Sequence, residues 1–218
     1  VDVSAKIVIH YDKRNAGATH KNNSSPANVV VWLSPVQADD LRPAPVSHGP
    51  YRLLQKDKQF HPHLLVVPTG SSVEFPNADP FFHNVFSLFN GKRFDLGLYE
   101  SGTSRSVRFD REGVSYIFCN IHPGMGAVVL ALNTPYYAVS DADGLVLIHG
   151  VPPGSYRMNV WSETATWLQA REAQHNIQIG SGSAVRLGEI EMQPASSALG
   201  NHKNKFGEDY QPEPHPPY

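Results

Sequence analysis

The stretch FCNIHPGMG, residues 118–126, holds the chain's only cysteine, with Cys119, His122 and Met125 at equal steps of three. A thiol, an imidazole and a thioether gathered in one Pro- and Gly-containing loop are donors for a transition metal. Residues 114–119 read as a strand and 127–132 as its return, so Asn120, Pro123, Gly124 and Gly126 supply the turn. A hairpin of that size lets the three side chains converge. Upstream, DPFFHNVFS sets His83 among apolar residues, a second imidazole from a neighbouring strand or loop. Two imidazoles, a thiolate and a weak thioether are the donor set of a trigonal copper site with a long axial bond. Zinc is the competing metal, although structural zinc sites rarely recruit Met. With a donor for each of four positions, the set favours electron transfer over substrate chemistry. Taken singly, Cys119 reads as a small buried hydrophobe and Met125 as core filler; the joint pattern is what carries the metal reading.

The elements that must position these donors are strands. Short apolar or alternating runs recur at 3–11, 28–33, 63–68, 72–76, 105–110, 114–119, 127–132, 144–148, 155–161, 176–179 and 185–192, separated by turn signals such as Asp143-Gly144 and Pro152-Pro153-Gly154. The 18 prolines and 17 glycines suit many short strands joined by tight turns. Residues 163–173 alone admit a helical turn or two. The chain is therefore expected to be all-β and of sandwich type. At 218 residues it has room for one large domain or two small ones. A formal charge of −2 offers no electrostatic footing for nucleic acid or an anionic membrane. No apolar run approaches the ~20 residues that a spanning helix needs. No signal-peptide pattern opens the chain at Val1, so an export signal is expected to have been removed or to lie outside this sequence.

His83-Asn84-Val85 followed by Cys119-Asn120-Ile121-His122-Pro123-Gly124-Met125 resembles the cupredoxins, the small blue copper proteins. The short step from His122 to Met125 is most similar to amicyanin. The resemblance covers about 60–132 and implies a Greek-key β-sandwich holding one type 1 copper that alternates between Cu(I) and Cu(II). It implies His83, Cys119 and His122 as strong equatorial ligands and Met125 as the weak axial one. It further implies that Asn84 hydrogen-bonds backbone near Cys119 and ties the two ligand loops together, the alternative for Asn84 being a plain turn residue. Electrons would cross near His122 through an apolar patch of Ile121, Pro123 and Gly124, to which Phe81, Phe82 and Phe86 could add, though core packing suits at least two of these three. Such a patch fits a transient redox protein partner. The implied role is an electron carrier, not an enzyme, in the periplasm or otherwise exported. Two other readings stay open: a copper chaperone, sensor or store that does not cycle, and a partner- or glycan-binding sandwich with a structural metal.

Residues 134–161 resemble the carboxypeptidase-regulatory or transthyretin-like β-sandwich, through the Asp-x-Asp-Gly turn and Val-Pro-Pro-Gly-x-Tyr. That family's opening Pro-Ala-x-Val-x-Val segment finds its match far upstream, at Pro26-Ala27-Asn28-Val29-Val30-Val31. The expected layout is an insertion: a copper domain at 46–133 within a transthyretin-like sandwich formed by 1–45 and 134–193. A tandem arrangement is the alternative. Residues 34–62 look like a linker or long excursion, and 194–218, almost free of apolar residues, like an extended or disordered tail or one laid on a surface. His61 and His63 could make an auxiliary metal site but read more readily as exposed edge residues. His202 and His215 in the tail suggest nothing beyond adventitious metal binding.

Overall fold

The structure, a computed structural model, describes residues 1–11, 25–37, 50–88, 91–168, 175–182, 184–197, 199 and 202–210. Among them there is strand but no helix, so the chain is all-β. In chain order the strands are β1 (Asp2–Ile9), β2 (Val30–Pro35), β3 (Tyr51–Arg52), β4 (Leu54–Lys56), β5 (Gln59–His61) and β6 (Leu64–Pro68). There follow β7 (Ser71–Pro76), β8 (His83–Ser87), β9 (Phe94–Tyr99), β10 (Ser104–Phe109), β11 (Gly113–Cys119) and β12 (Gly126–Leu132). The last six are β13 (Tyr137–Val139), β14 (Leu145–Ile148), β15 (Gly154–Trp161), β16 (Ala165–Trp167), β17 (Asn176–Ile179) and β18 (Ala184–Pro194).

The chain divides into two compact units, one made of Val1–Ala44 with Thr134–Ser197 and the other of Pro45–Asn133 with Ala198–Tyr218. The first unit has two four-stranded sheets, β14-β1-β18-β16 and β13-β2-β15-β17. Alternation along the strands turns Val3, Ala5 and Ile7 of β1, Val31 and Leu33 of β2, and Val146 and Ile148 of β14 into one core. Strand β2 pairs with β13 and β15, both in this unit. The Asp141 carboxylate accepts the amides of Asp143 and Leu145 at 3.0 and 2.8 Å, closing the turn before β14. Tyr156 donates its hydroxyl to the carbonyl of Pro152 at 3.0 Å, which fixes the entry to β15.

The helical turn expected in 163–173 is not found among the described residues there. Residues 165–167 form β16 instead, paired with β18 and with Ala165 and Trp167 inward. Sheet pairing, extended by the Leu168 amide to the Glu191 carbonyl at 3.0 Å, outweighs local helical preference. Residues 169–173 lie outside the described set. The expected excursion at 34–62 likewise contains structure: β2 runs on to Pro35, and β3, β4 and β5 occupy much of 51–61, while 38–49 lie outside the described set.

The second unit has a five-stranded sheet, β6-β12-β11-β8-β9, a three-stranded sheet, β10-β7-β3, and the β4-β5 hairpin. Val73 and Phe75 of β7, Val107 and Phe109 of β10, Val85 of β8, and Ile117 of β11 share one buried core. Cys119 and Met125 belong to that same core. No helix among the described residues is long and apolar enough to cross a membrane.

Candidate metal centre

Strands β8 and β11 lie side by side, antiparallel, with Cys119 opposite Val85 and Phe118 opposite Phe86. The two-residue period therefore turns Val85, Cys119 and His83 to the core side, and Asn84, Phe86 and Phe118 to the other side. Past Cys119 the chain turns tightly: the Met125 amide donates to the His122 carbonyl and the Cys119 amide to the Met125 carbonyl, both at 3.1 Å. That double closure folds His122 back over Cys119.

Three donor atoms meet as a result. Cys119 Sγ lies 3.4 Å from His122 Nδ1 and 3.6 Å from His83 Nδ1, and the two Nδ1 atoms are 3.1 Å apart. His83 and Cys119 are fully buried and His122 is 9% exposed. A first-row cation bound at about 2.0–2.1 Å to nitrogen and about 2.3 Å to sulfur, with trigonal to tetrahedral angles, holds two nitrogens roughly 3.3–3.6 Å apart and a nitrogen and a sulfur roughly 3.5–3.8 Å apart. The triangle lies within about 0.2 Å of those spans, the His83–His122 edge being the tight one. Met125, fully buried in the same core, is in the turn that carries His122.

The partners of the donors fix their orientation. His83 Nε2 lies 2.9 Å from Asp79 Oδ2, so the Nε2 proton goes to the carboxylate and the Nδ1 lone pair faces the cluster. Asp79 in turn accepts the amides of Asp57 and Lys58 at 2.6 and 3.0 Å. Burial alone would raise the Asp79 pKa, but the Lys58 amide, the His83 ring and the Asp57 amide outweigh it and hold the acid below its ordinary value. Asn77, also buried, accepts the Asp79 amide at 3.0 Å and donates to the Phe81 carbonyl at 2.8 Å, bracing the loop that leads into His83. Burial pushes the Cys119 thiol up, while the amides of Ile121, Asn84 and His122 pull the other way.

Asn84 differs from expectation. Its side chain donates to Asp95 Oδ1 at 2.6 Å, and its backbone carbonyl is what accepts the Asn120 amide, at 2.9 Å. The reason is parity: Asn84 alternates with His83 and so faces away from the donors. The two ligand-bearing segments are joined, but through the Asn84 main chain. Ile121, Pro123 and Gly124 are exposed beside His122. Of the three phenylalanines, Phe86 is buried and Phe82 is 54% exposed. Phe81 packs on both imidazoles, 5.3 Å from His83 and 5.4 Å from His122 between ring centroids.

His61 and His63 are exposed and line a pocket of about 350 Å³ with Gly124, Gly126 and Leu199. Among the described residues the one group of three or more metal-ligating His, Cys, Asp or Glu side chains is His83, Cys119 and His122. Sequence reading missed Asp79, whose only signal is its place four residues before His83. It also missed the role of Phe81 and, though it allowed a tail laid on a surface, the particular turn that 202–210 lies against. His215 lies outside the described residues.

No protein-family model and no curated protein matches the chain. Among solved structures it is similar to a purple cupredoxin from Nitrosopumilus maritimus, 24% identical over 38% of this chain and 99% of that one, with a TM-score of 0.34. It is also similar to a copper-containing nitrite reductase from Thermus scotoductus SA-01, 23% identical over 45% of this chain but only 25% of that one, TM-score 0.37. A reduced amicyanin variant matches at 19% identity over 47% of this chain and 98% of that one, TM-score 0.37.

Proposed function

We propose that the second unit binds one copper ion through His83, Cys119 and His122, with Met125 as a weak fourth donor, and carries single electrons between protein partners in an exported compartment. The observation that carries this is the buried triangle of two inward imidazole nitrogens and a thiol, spaced as ligands of one cation. Without a shared cation or proton, lone pairs facing one another at these distances repel in a low-dielectric interior. When bound, copper supplies a one-electron change between two oxidation states that thiolate and imidazole both accommodate.

The residues of the chain prepare for that change. Asp79 fixes the His83 tautomer, strand β11 fixes Cys119, and the double hydrogen-bond closure fixes His122, so little ligand movement accompanies a change of charge. Burial of His83 and Cys119 keeps water from the donors. His122, with its 9% exposure and its exposed neighbours Ile121, Pro123 and Gly124, is the natural point for electron entry and exit by a transiently docked partner. The buried triangle favours a carrier over a copper chaperone, which must release its cargo readily.

Copper(II) added to the full chain should give an intense visible thiolate-to-copper charge-transfer band, bleached by ascorbate and restored by an oxidant. Cys119→Ser, whose oxygen is a harder and less covalent donor, should lose the band while keeping the fold. A folded wild-type chain that binds copper(II) without colour would reject the proposal.

A further inference from the structure

The segment 202–210 has no strand, and its phenylalanine, Phe206, is 71% exposed, so hydrophobic burial alone does not set its course. Specific polar bonds do, and they converge on the Cys119 turn. A compact turn holds the segment in shape: Asn204 Oδ1 accepts the amides of Phe206 and Glu208 at 2.9 and 3.0 Å, and Gly207, at φ +80°, donates its amide to the Asn204 carbonyl at 3.0 Å. From that turn the Lys205 amide donates to Asn120 Oδ1 at 2.8 Å and Lys205 Nζ meets Asp95 Oδ2 at 2.7 Å. The other Asp95 oxygen holds the Asn84 side chain, and the Asn84 carbonyl holds the Asn120 amide. These four bonds form a closed ring, from Lys205 through Asn120, Asn84 and Asp95 back to Lys205.

A second contact bears on the sulfur ligand itself. The Tyr210 hydroxyl donates to the Cys119 carbonyl at 2.8 Å and lies 3.1 Å from His202 Nδ1. The hydroxyl has one proton, which goes to the carbonyl. His202 Nδ1, also 3.3 Å from the Lys203 carbonyl, therefore carries the proton it shares with the tyrosine oxygen. The His202 ring covers Phe118, 4.1 Å between centroids and 31° between planes, on the sheet face opposite Cys119. Leu199 closes on Gly126, where a Cβ would come within 3.2 Å of it. The Cys119 peptide is thus gripped on both sides, by Met125 at its amide and Tyr210 at its carbonyl.

We propose that residues 202–210 are a working part of the metal centre, in which Tyr210 positions Cys119 and Lys205 positions Asn120. This rests on the copper reading of the site, but the mechanical part of it holds for the metal-free chain as well. Tyr210 acts through the Cys119 peptide and does not touch the donors themselves.

The test uses full-length Tyr210→Phe and Lys205→Met chains. Tyr210→Phe keeps the ring and removes both hydrogen bonds of the hydroxyl, the one to the Cys119 carbonyl and the one from His202 Nδ1, so metal-free amide exchange at Cys119, Asn120 and Met125 should speed up several-fold to about tenfold. Amides of β7 and β10, in the second unit but away from the turn after Cys119, should not change, which shows the unit that carries the substitution to be folded. With copper, the charge-transfer maximum should move and release to a chelator should quicken by a similar factor. The reduction potential should fall, because the positive end of the hydroxyl dipole near the site favours the lower metal charge. Lys205→Met keeps the main-chain amide that holds Asn120 Oδ1 and removes the Nζ contact to Asp95, so it should loosen Asn84 and, through the Asn84 carbonyl, the Asn120 amide more than Cys119. Unchanged exchange, band and release in Tyr210→Phe would overturn the proposal. A colourless wild-type chain with faster exchange in Tyr210→Phe would uphold the positioning role and reject copper.

Discussion

His83 shows how much of the centre depends on a residue that never touches the donor triangle. An imidazole can present either nitrogen, and only the hydrogen bond on the far side decides which. Asp79, 2.9 Å from Nε2 and anchored by two backbone amides, makes that decision here. Asp79→Asn keeps the size but replaces an anionic acceptor with an amide that can also donate, so it no longer selects the tautomer. Copper affinity should fall about 10- to 100-fold, the usual cost of losing such an outer partner. Competition with a chelator of known affinity measures it, and an unchanged affinity would mean that the loop, not the carboxylate, orients the ring. Cys119 and His122, two corners of the triangle, were legible because they stand three residues apart in one Pro- and Gly-containing loop. Asp79 was not, since an acid in DPFFH reads as a solvated turn residue until the fold brings the Asp57 and Lys58 amides to it.

Strands with a sustained two-residue period, such as β1, β7 and β10, can be read from their alternation because each buries one face. Those of two or three residues, β3, β4, β5, β13 and β16, are too short to leave a period, and β9 is interrupted by Gly97 at φ +66°. Turn chemistry was more informative than length at Asp143-Gly144. Gly144 sits at φ +79°, and a Cβ there would lie 2.6 Å from the Ile7 carbonyl oxygen of β1. Gly144→Ala therefore combines left-handed backbone strain with a clash against main chain, and should destabilise the first unit by about 1–3 kcal/mol. Urea unfolding followed by tryptophan fluorescence checks this, because Trp32, Trp161 and Trp167 are the chain's three tryptophans and all lie in that unit. An unmoved midpoint would mean that the turn yields cheaply.

Neither unit is continuous in sequence. Strand β1 pairs in parallel with β18 and antiparallel with β14, joining the two ends of the first unit. The second unit likewise gathers the segment after Ser197 to the turn after Cys119. At the level of sequence, the resemblance that joins Pro26–Val31 to the distant Asp143-Gly144 turn leads to the expectation of an insertion. Nothing local hinted at the closure of the second unit, because a strap held by single polar bonds leaves no hydrophobic pattern. A ligand that binds only the folded form stabilises it by mass action, about 4 kcal/mol at a thousandfold excess over its dissociation constant. For a unit of this size that corresponds to a rise on the order of 15 °C in its thermal midpoint. Calorimetry of the full chain with and without copper should show that rise in the transition at which the charge-transfer band disappears. Cys119→Ser removes the thiolate and should abolish most of the rise. An equal copper-induced rise in Cys119→Ser would place the stabilising ion somewhere other than the triangle, because mass action follows the site that holds the metal.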